Sequence, residues 1–402
     1  MRFDSDRPRD HGAVTFCTTG VVLQKLKTNP ELKNISHVVI DEVHERDIYT
    51  DVLLGILFKL RRDGIKLIIM SASMNVESFR AYLNCPTIEV TGRLFPIEEF
   101  FLEDYIHEIP VLSGAYAGFQ QPENYEHMRY IKEYGKSIGH QAYYVEHSSP
   151  MPYSFIAKVI KHVHDNQDEG AILVFLPGWE EISEVHYLLA NRELNEAQEN
   201  PLFLGEDAEI HLLHSQTPLE EQMLIFYPPK DNMRKIILST NVAETSVTIE
   251  DVVYVVDCGK VNNVRYSEFH KSTALKLEWI SMSSATQRSG RAGRVRPGKC
   301  WHLFTQNRMD NLQAFLDPAI KRLPLIEIVL VIKSLKLNVS TDEFLSTLID
   351  KPHESKVQDA LGNSLNSREN LNLLLSRKKT VSGLKKSWMQ IDETNCILEF
   401  ST

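Results

Sequence analysis

The feature that most constrains this chain is a repeated alternation of short apolar runs with amphipathic stretches. Ala13–Cys17 (AVTFC), His37–Ile40 and Lys66–Met70 (KLIIM) read as buried strands, with helical spacing over Thr19–Lys27 and Tyr49–Arg61. The pattern restarts downstream. Strands are expected over Ala171–Leu176, Glu209–Leu213, Lys235–Ser239 and Val252–Asp257, and helices over Ser154–Asn166, Glu180–Ala190 and Pro218–Phe226. Short apolar runs separated by helices suit strands covered on both faces, the condition for a parallel sheet with crossover helices. Two such series predict two similar α/β lobes. Between them, residues 106–150 mix tyrosines with His, Gln, Glu and Gly at weak periodicity. That stretch reads as a surface insertion or linker, partly helical near Glu126–Tyr134.

The 402 residues, 43% hydrophobic and 24% charged, suffice for two to three ordinary globular domains. Cys17, Cys85, Cys258, Cys300 and Cys396 are far apart with no C-x-x-C pair, which argues against a zinc site or disulfide framework. No apolar run approaches a membrane span and no signal-peptide core is visible, so an intracellular protein is expected, nucleus or cytoplasm undecided, with no membrane partner. The net charge of −10 does not exclude nucleic acid, because phosphate contacts need only a local basic lining. Gln287–His302 offers one, with Arg288, Arg291, Arg294, Arg296 and Lys299 and no acid.

The run Ser36–Asp47 (SHVVIDEVHERD) joins a short apolar strand to Asp41, Glu42 and His44 in the order D-E-x-H. Ligands of open α/β sheets sit beyond the carboxyl ends of strands. A carboxylate there can hold Mg²⁺, and a second can orient a water towards a γ-phosphate. An acidic loop after a core strand is the plainer alternative.

DEVHERD, the SAS after KLIIM, FLPGWEEI, STNVAETSVTIEDVVYVVDCGK and QRSGRAGR occur in the order and spacing of DEAH-box RNA helicases of superfamily 2. The chain resembles that family, in its RNA helicase A/maleless-like branch, from Arg2 to about Asp350. The resemblance implies two RecA-like lobes with parallel sheets, hydrolysis of ATP or another nucleoside triphosphate with Mg²⁺ at their interface, and action on single-stranded or structured RNA, possibly DNA. Protein partners are not implied. Asp41 and Glu42 would serve the metal and the attacking water. His44 would sense the nucleotide and bridge to the other lobe, and Ser71 and Ser73 would couple the lobes. Gln287, Arg291 and Arg294 would face the phosphates, the two arginines from one helix face. Thr248 and one of the adjacent Glu250 and Asp251 would lie near the ribose or γ-phosphate. Thr18, Thr19 and Gly20, then Ser215, Thr240 and Asn241, would hold the RNA backbone, although Thr18 and Ser215 could equally cap helices. Lys260–Leu277 would form a β-hairpin that guides RNA, or a plain surface hairpin.

The same resemblance divides the chain into a partial first lobe with its connector (1–105), a linker or insertion (106–150), a second lobe (151–312), the start of a winged-helix domain (313–350) and a divergent tail (351–402). The family's phosphate loop, G-x-x-x-x-G-K-[ST], does not occur. Gly135-Lys136-Ser137 is a decoy, since Tyr130 stands where the first glycine belongs. The first sheet is therefore expected to have an unfilled position. Two functions remain open at this point: an ATP-dependent RNA helicase, or a catalytically deficient RNA-binding or regulatory fragment.

Overall fold

A computed structural model describes residues 12, 14–60, 64–72, 76–90, 95–109, 125–195, 198–245, 249–267, 272–365 and 396–401. The chain divides into two compact units. Unit 1 comprises Met1–Val90, Val264–Leu275 and Asp317–Thr402, and unit 2 comprises Thr91–Asn263 and Lys276–Leu316.

In unit 1, β1 (Val14–Thr18), β2 (Ile35–Ile40) and β3 (Lys66–Ile69) follow the expected runs. β2 and β3 are parallel, with Ile40 opposite Ile69. The C-terminal strand Cys396–Ser401 lies between β1 and β2, antiparallel to both. Among the described residues this sheet therefore runs without a break from β1 to β3, where the sequence led us to expect an unfilled position. Helices Thr19–Thr28 and Ile48–Leu60 contribute Val22, Leu23, Leu53 and Leu57 to a core shared with Val38 and Ile40. Ile320, Val329, Phe344 and Leu345, from helices after residue 317, join the same core. So do Val357 and Ala360 of helix Glu354–Leu365, from the stretch read as a divergent tail. Their spacing of three residues places both on one helix face. Gly55 lets these helices approach, since a Cβ there would stand 2.6 Å from Leu348 Cδ2.

Unit 2 holds a six-stranded, all-parallel sheet. Its strands are β4 (Ile97–Phe100), β5 (Ala171–Phe175), β8 (Ala208–Leu213), β9 (Arg234–Ser239), β10 (Val252–Asp257) and β13 (Gly298–His302), in the order β4-β13-β10-β5-β9-β8. Ile172 and Val174 face one core, and Ala171, Leu173 and Phe175 the other. That two-sided burial is why β5 reads as a continuous apolar run. A short pair, β6 (Glu193–Asn195) and β7 (Gln198–Glu199), and a longer hairpin, β11 (Lys260–Ser267) and β12 (Ser272–Trp279), complete the strands described here.

Within the stretch read as an insertion or linker, the structure differs most from the sequence reading over Tyr125–His147, residues 110–124 lying outside the described residues. Tyr125–His147 is a helix, interrupted at Gly135 (φ 78°), and the decoy Gly135-Lys136-Ser137 sits at that break. Tyr130, Ala142, Tyr143 and Val145 are buried in a unit 2 core. Glu146 explains how so polar a helix can be buried. Its side chain is fully enclosed, accepting from Thr305 N at 2.8 Å, from Arg308 Nε at 2.9 Å and from the Tyr130 hydroxyl. Buried polar groups are tolerated when each finds such partners.

Candidate functional site

β2 ends at Ile40, and the chain then turns through a short 3₁₀ segment, Val43–Glu45, flanked by Glu42 and Arg46 in the left-handed region (φ 53° and 52°). Non-glycine residues enter that region at a cost of roughly 1–3 kcal/mol, and such strain clusters at functional sites. The Glu42 N–H donates to Asp41 Oδ1 at 2.8 Å, so the turn itself orients the first carboxylate. Both acids are half-buried at the carboxyl end of β2. Two hard oxygen donors suit a divalent cation such as Mg²⁺, so the donor set fits the expected metal. His44 Nδ1 lies 3.3 Å from Glu42 Oε2 and 3.4 Å from the Ala72 amide, linking the acidic turn to the end of β3 within unit 1. Burial holds the His44 pKa below its ordinary value, with Asp41 opposing. Neighbouring Ser71 is exposed; Ser73 lies outside the described residues.

Arg46 closes the turn. It pairs through Nε and Nη2 with both oxygens of buried Asp51 at 3.0 Å, and through Nη2 with Asp350 at 2.7 Å.

In unit 2 the arginine stretch departs from expectation. Helix Met282–Ser289 ends before Arg291, so Arg291 and Arg294 project from the turns that follow and share no helix face. The turns tighten through Arg291 N to Arg288 O and Ala292 N to Ser289 O. Gly293 is required there, because a Cβ would stand 2.7 Å from the Phe95 carbonyl. Arg291 is buried, its Nη2 donating to the Glu244 carbonyl, whereas Gln287 and Arg294 are half-buried.

Arg288 is no part of a basic lining. It is fully buried, donating to Glu244 Oε2 and Asp257 Oδ1, each at 2.8 Å, and stacked over Phe175. Burial opposes its charge, but Asp257 and Glu244 more than compensate and raise its pKa. Burial likewise works against ionised Asp257, yet Arg288 and His302 bring its carboxyl below the usual range.

Asp251 and Glu250 separate clearly. Asp251 Oδ2 lies 2.8 Å from the ammonium of buried Lys235, while Glu250 is exposed. Thr248 lies outside the described residues.

The helicase conserved C-terminal domain matches residues 154–296. The ATP-dependent DNA/RNA helicase DHX36 of Bos taurus is 36% identical over 393 residues, covering 89% of this chain and 37% of the relative. The DExH-box ATP-dependent RNA helicase DExH1 of Arabidopsis thaliana is 38% identical, covering 90% and 38%. The Escherichia coli DEAH/RHA helicase HrpB shares the fold with a TM-score of 0.65 at 26% identity, over 85% of this chain and 37% of that one. The chain belongs to the DEAH-box helicase family. It spans little more than a third of the length of these DEAH-box relatives.

The remaining DEAH-box positions expected to hold nucleic acid lie at strand ends. Thr18 occupies the N-cap of helix Thr19–Thr28 without a side-chain capping bond; Thr19 is buried and Gly20 exposed. Past β8, Ser215 lies half-buried in a turn, beside His214, whose ring packs 5.5 Å from Trp179. Beyond β9, Thr240 is buried and anchored to Leu213 O, and Asn241 is exposed. Two participants went unrecognised in the sequence, Glu244 and Asp257. A faint signal existed for the latter, an acid closing the otherwise apolar run VVYVVD, which must find a cation.

Proposed function

We propose that this chain acts in an ATP-dependent RNA helicase, with nucleoside triphosphate hydrolysis coupled to unwinding or remodelling of RNA. One observation carries the reading: Asp41 and Glu42 stand on a strained turn at the end of β2, in the family's DEVH sequence. In this reading Mg²⁺, when bound through Asp41, neutralises phosphate charge. Glu42 orients or deprotonates the attacking water, with His44 limiting its movement. Arg291 and Arg294 supply positive charge to nucleotide phosphate, and Gln287 assists them. Thr18–Gly20, Ser215, Thr240 and Asn241 contact RNA through its backbone, which makes binding indifferent to sequence. Glu250, rather than Asp251, is the acid available to a nucleotide.

The test is ATP hydrolysis by the purified chain, with and without single-stranded RNA, in wild type and Glu42→Gln. RNA-stimulated turnover removed by Glu42→Gln supports the helicase reading. RNA binding that ATP analogues leave unchanged, without turnover, supports a binding or regulatory role instead. Strand-exchange assays on RNA and DNA duplexes decide the preferred substrate.

A further inference from the structure

Resting on the reading above, we infer that Glu244 is a positioning residue that ties the RNA-contact turn at Thr240–Asn241 to Arg291. Three bonds converge on this half-buried side chain and its backbone. Its carboxylate accepts from Arg288 Nε at 2.8 Å and from the Ser284 hydroxyl, and its carbonyl accepts from Arg291 Nη2. Its own N–H donates to Asn241 O at 2.9 Å, closing the one-turn helix Val242–Thr245 directly onto the RNA-contact turn. The far end is rigid, because Arg288 is locked between Glu244, Asp257 and the Phe175 ring. Asp257 is itself held from the opposite side by His302, 3.5 Å away.

Any displacement of Asn241 therefore moves the Glu244 backbone, and with it the carbonyl that seats Arg291. The charged hydrogen bonds of buried Arg288 to Glu244 and Asp257 leave this link little slack, so the coupling is mechanical. Glu244 touches neither nucleotide nor RNA in this scheme. It acts through Arg291.

The experiment uses the full chain and a fluorescent single-stranded RNA, titrated with and without a Mg²⁺-bound non-hydrolysable ATP analogue. In wild type the analogue is expected to change RNA affinity by roughly fivefold or more, the size of ordinary coupling between sites. Glu244→Ala should bring that ratio close to one while RNA affinity without nucleotide changes much less. Glu244→Gln, which keeps an acceptor for Arg288, should restore part of it. Coupling that survives Glu244→Ala overturns the inference and leaves the helicase reading standing, as does loss of RNA affinity with the ratio intact. Should Glu244→Ala not fold, Glu244→Gln and Arg288→Lys decide alone: a reduced ratio supports the link and an unchanged one overturns it. A wild-type chain whose RNA affinity ignores the analogue removes the helicase reading, and the link with it, before any variant is made.

Discussion

Arg46 and Asp350, 304 positions apart, meet at 2.7 Å, so the turn that presents Asp41 and Glu42 is clamped to the C-terminal helical segment of unit 1. The clamp is reinforced by the Arg46 carbonyl, which accepts from Ala319 N at 3.0 Å, and by Lys321, which pairs with Asp350. Burial opposes the Arg46 charge, and bonds to Asp51 and Asp350 reverse that effect, leaving its pKa raised.

Removing the two ends of this clamp should have unequal effects. Arg46→Ala strands the Asp51 carboxylate, which is only 2% exposed, and breaking a buried pair this way costs about 3–5 kcal/mol. Asp350→Ala leaves Arg46 paired with Asp51 and should cost about 1.5–3 kcal/mol, the range for hydrogen bonds to charged groups. Urea unfolding of the two variants against wild type checks the order. Equal losses would show that Asp350, not Asp51, is the principal partner.

Gly55→Ala should destabilise unit 1 although alanine is the better helix former. The propensity gain is about 1 kcal/mol, whereas forcing a methyl 2.6 Å from Leu348 costs about 1–3 kcal/mol. A second substitution, Leu348→Ala, should make Gly55→Ala less harmful, because the clashing atom is gone. Thermal unfolding of the double-mutant cycle measures the coupling.

Asp251 and Glu250 should differ in what they affect. Asp251→Asn weakens the ion pair to buried Lys235, which keeps the Ile225 and Tyr227 carbonyls, so a loss of about 1–3 kcal/mol in stability is expected with nucleotide affinity unchanged. Glu250→Gln, on the exposed neighbour, should leave stability within about 0.5 kcal/mol. Its effect belongs to nucleotide binding, read by titration with a fluorescent ATP analogue.

The Asp257–His302 pair sets a pH window for unit 2. The carboxyl of Asp257 is lowered in the folded state, so its contribution is present above the unfolded value of about 4 and is lost as pH falls through the lower folded value. His302 runs the other way. Burial opposes its charge, but Cys300, Asp257 and Glu99 raise its pKa well above the ordinary value. Its contribution is therefore complete below about pH 6.5 and is lost as pH rises through the raised folded value. Denaturant midpoints across pH should fall on both sides, and His302→Gln should flatten the alkaline limb and shrink the acid limb in part, because His302 also helps Arg288 lower Asp257.

Periodicity and strand-end position are local properties, and they were readable from residues alone. The runs AILVFL and VVYVVD gave away buried parallel strands because strands covered on both faces have no polar side to show. DEVHERD could be placed at a strand's carboxyl end for the same reason, and the ordered motifs then carried the family. What the sequence could not determine were the partners of charges distant along the chain. Arg288 looked like its neighbours Arg291 and Arg294, and only the closure of helix Met282–Ser289 over β10 made it a buried counter-ion for Asp257 and Glu244. Tyr130 and Tyr143 looked like surface residues until Glu146, Thr305 and Arg308 satisfied the polar groups around them. Burial of a charge or hydroxyl depends on a partner tens or hundreds of positions away, and tertiary packing alone brings that partner within reach.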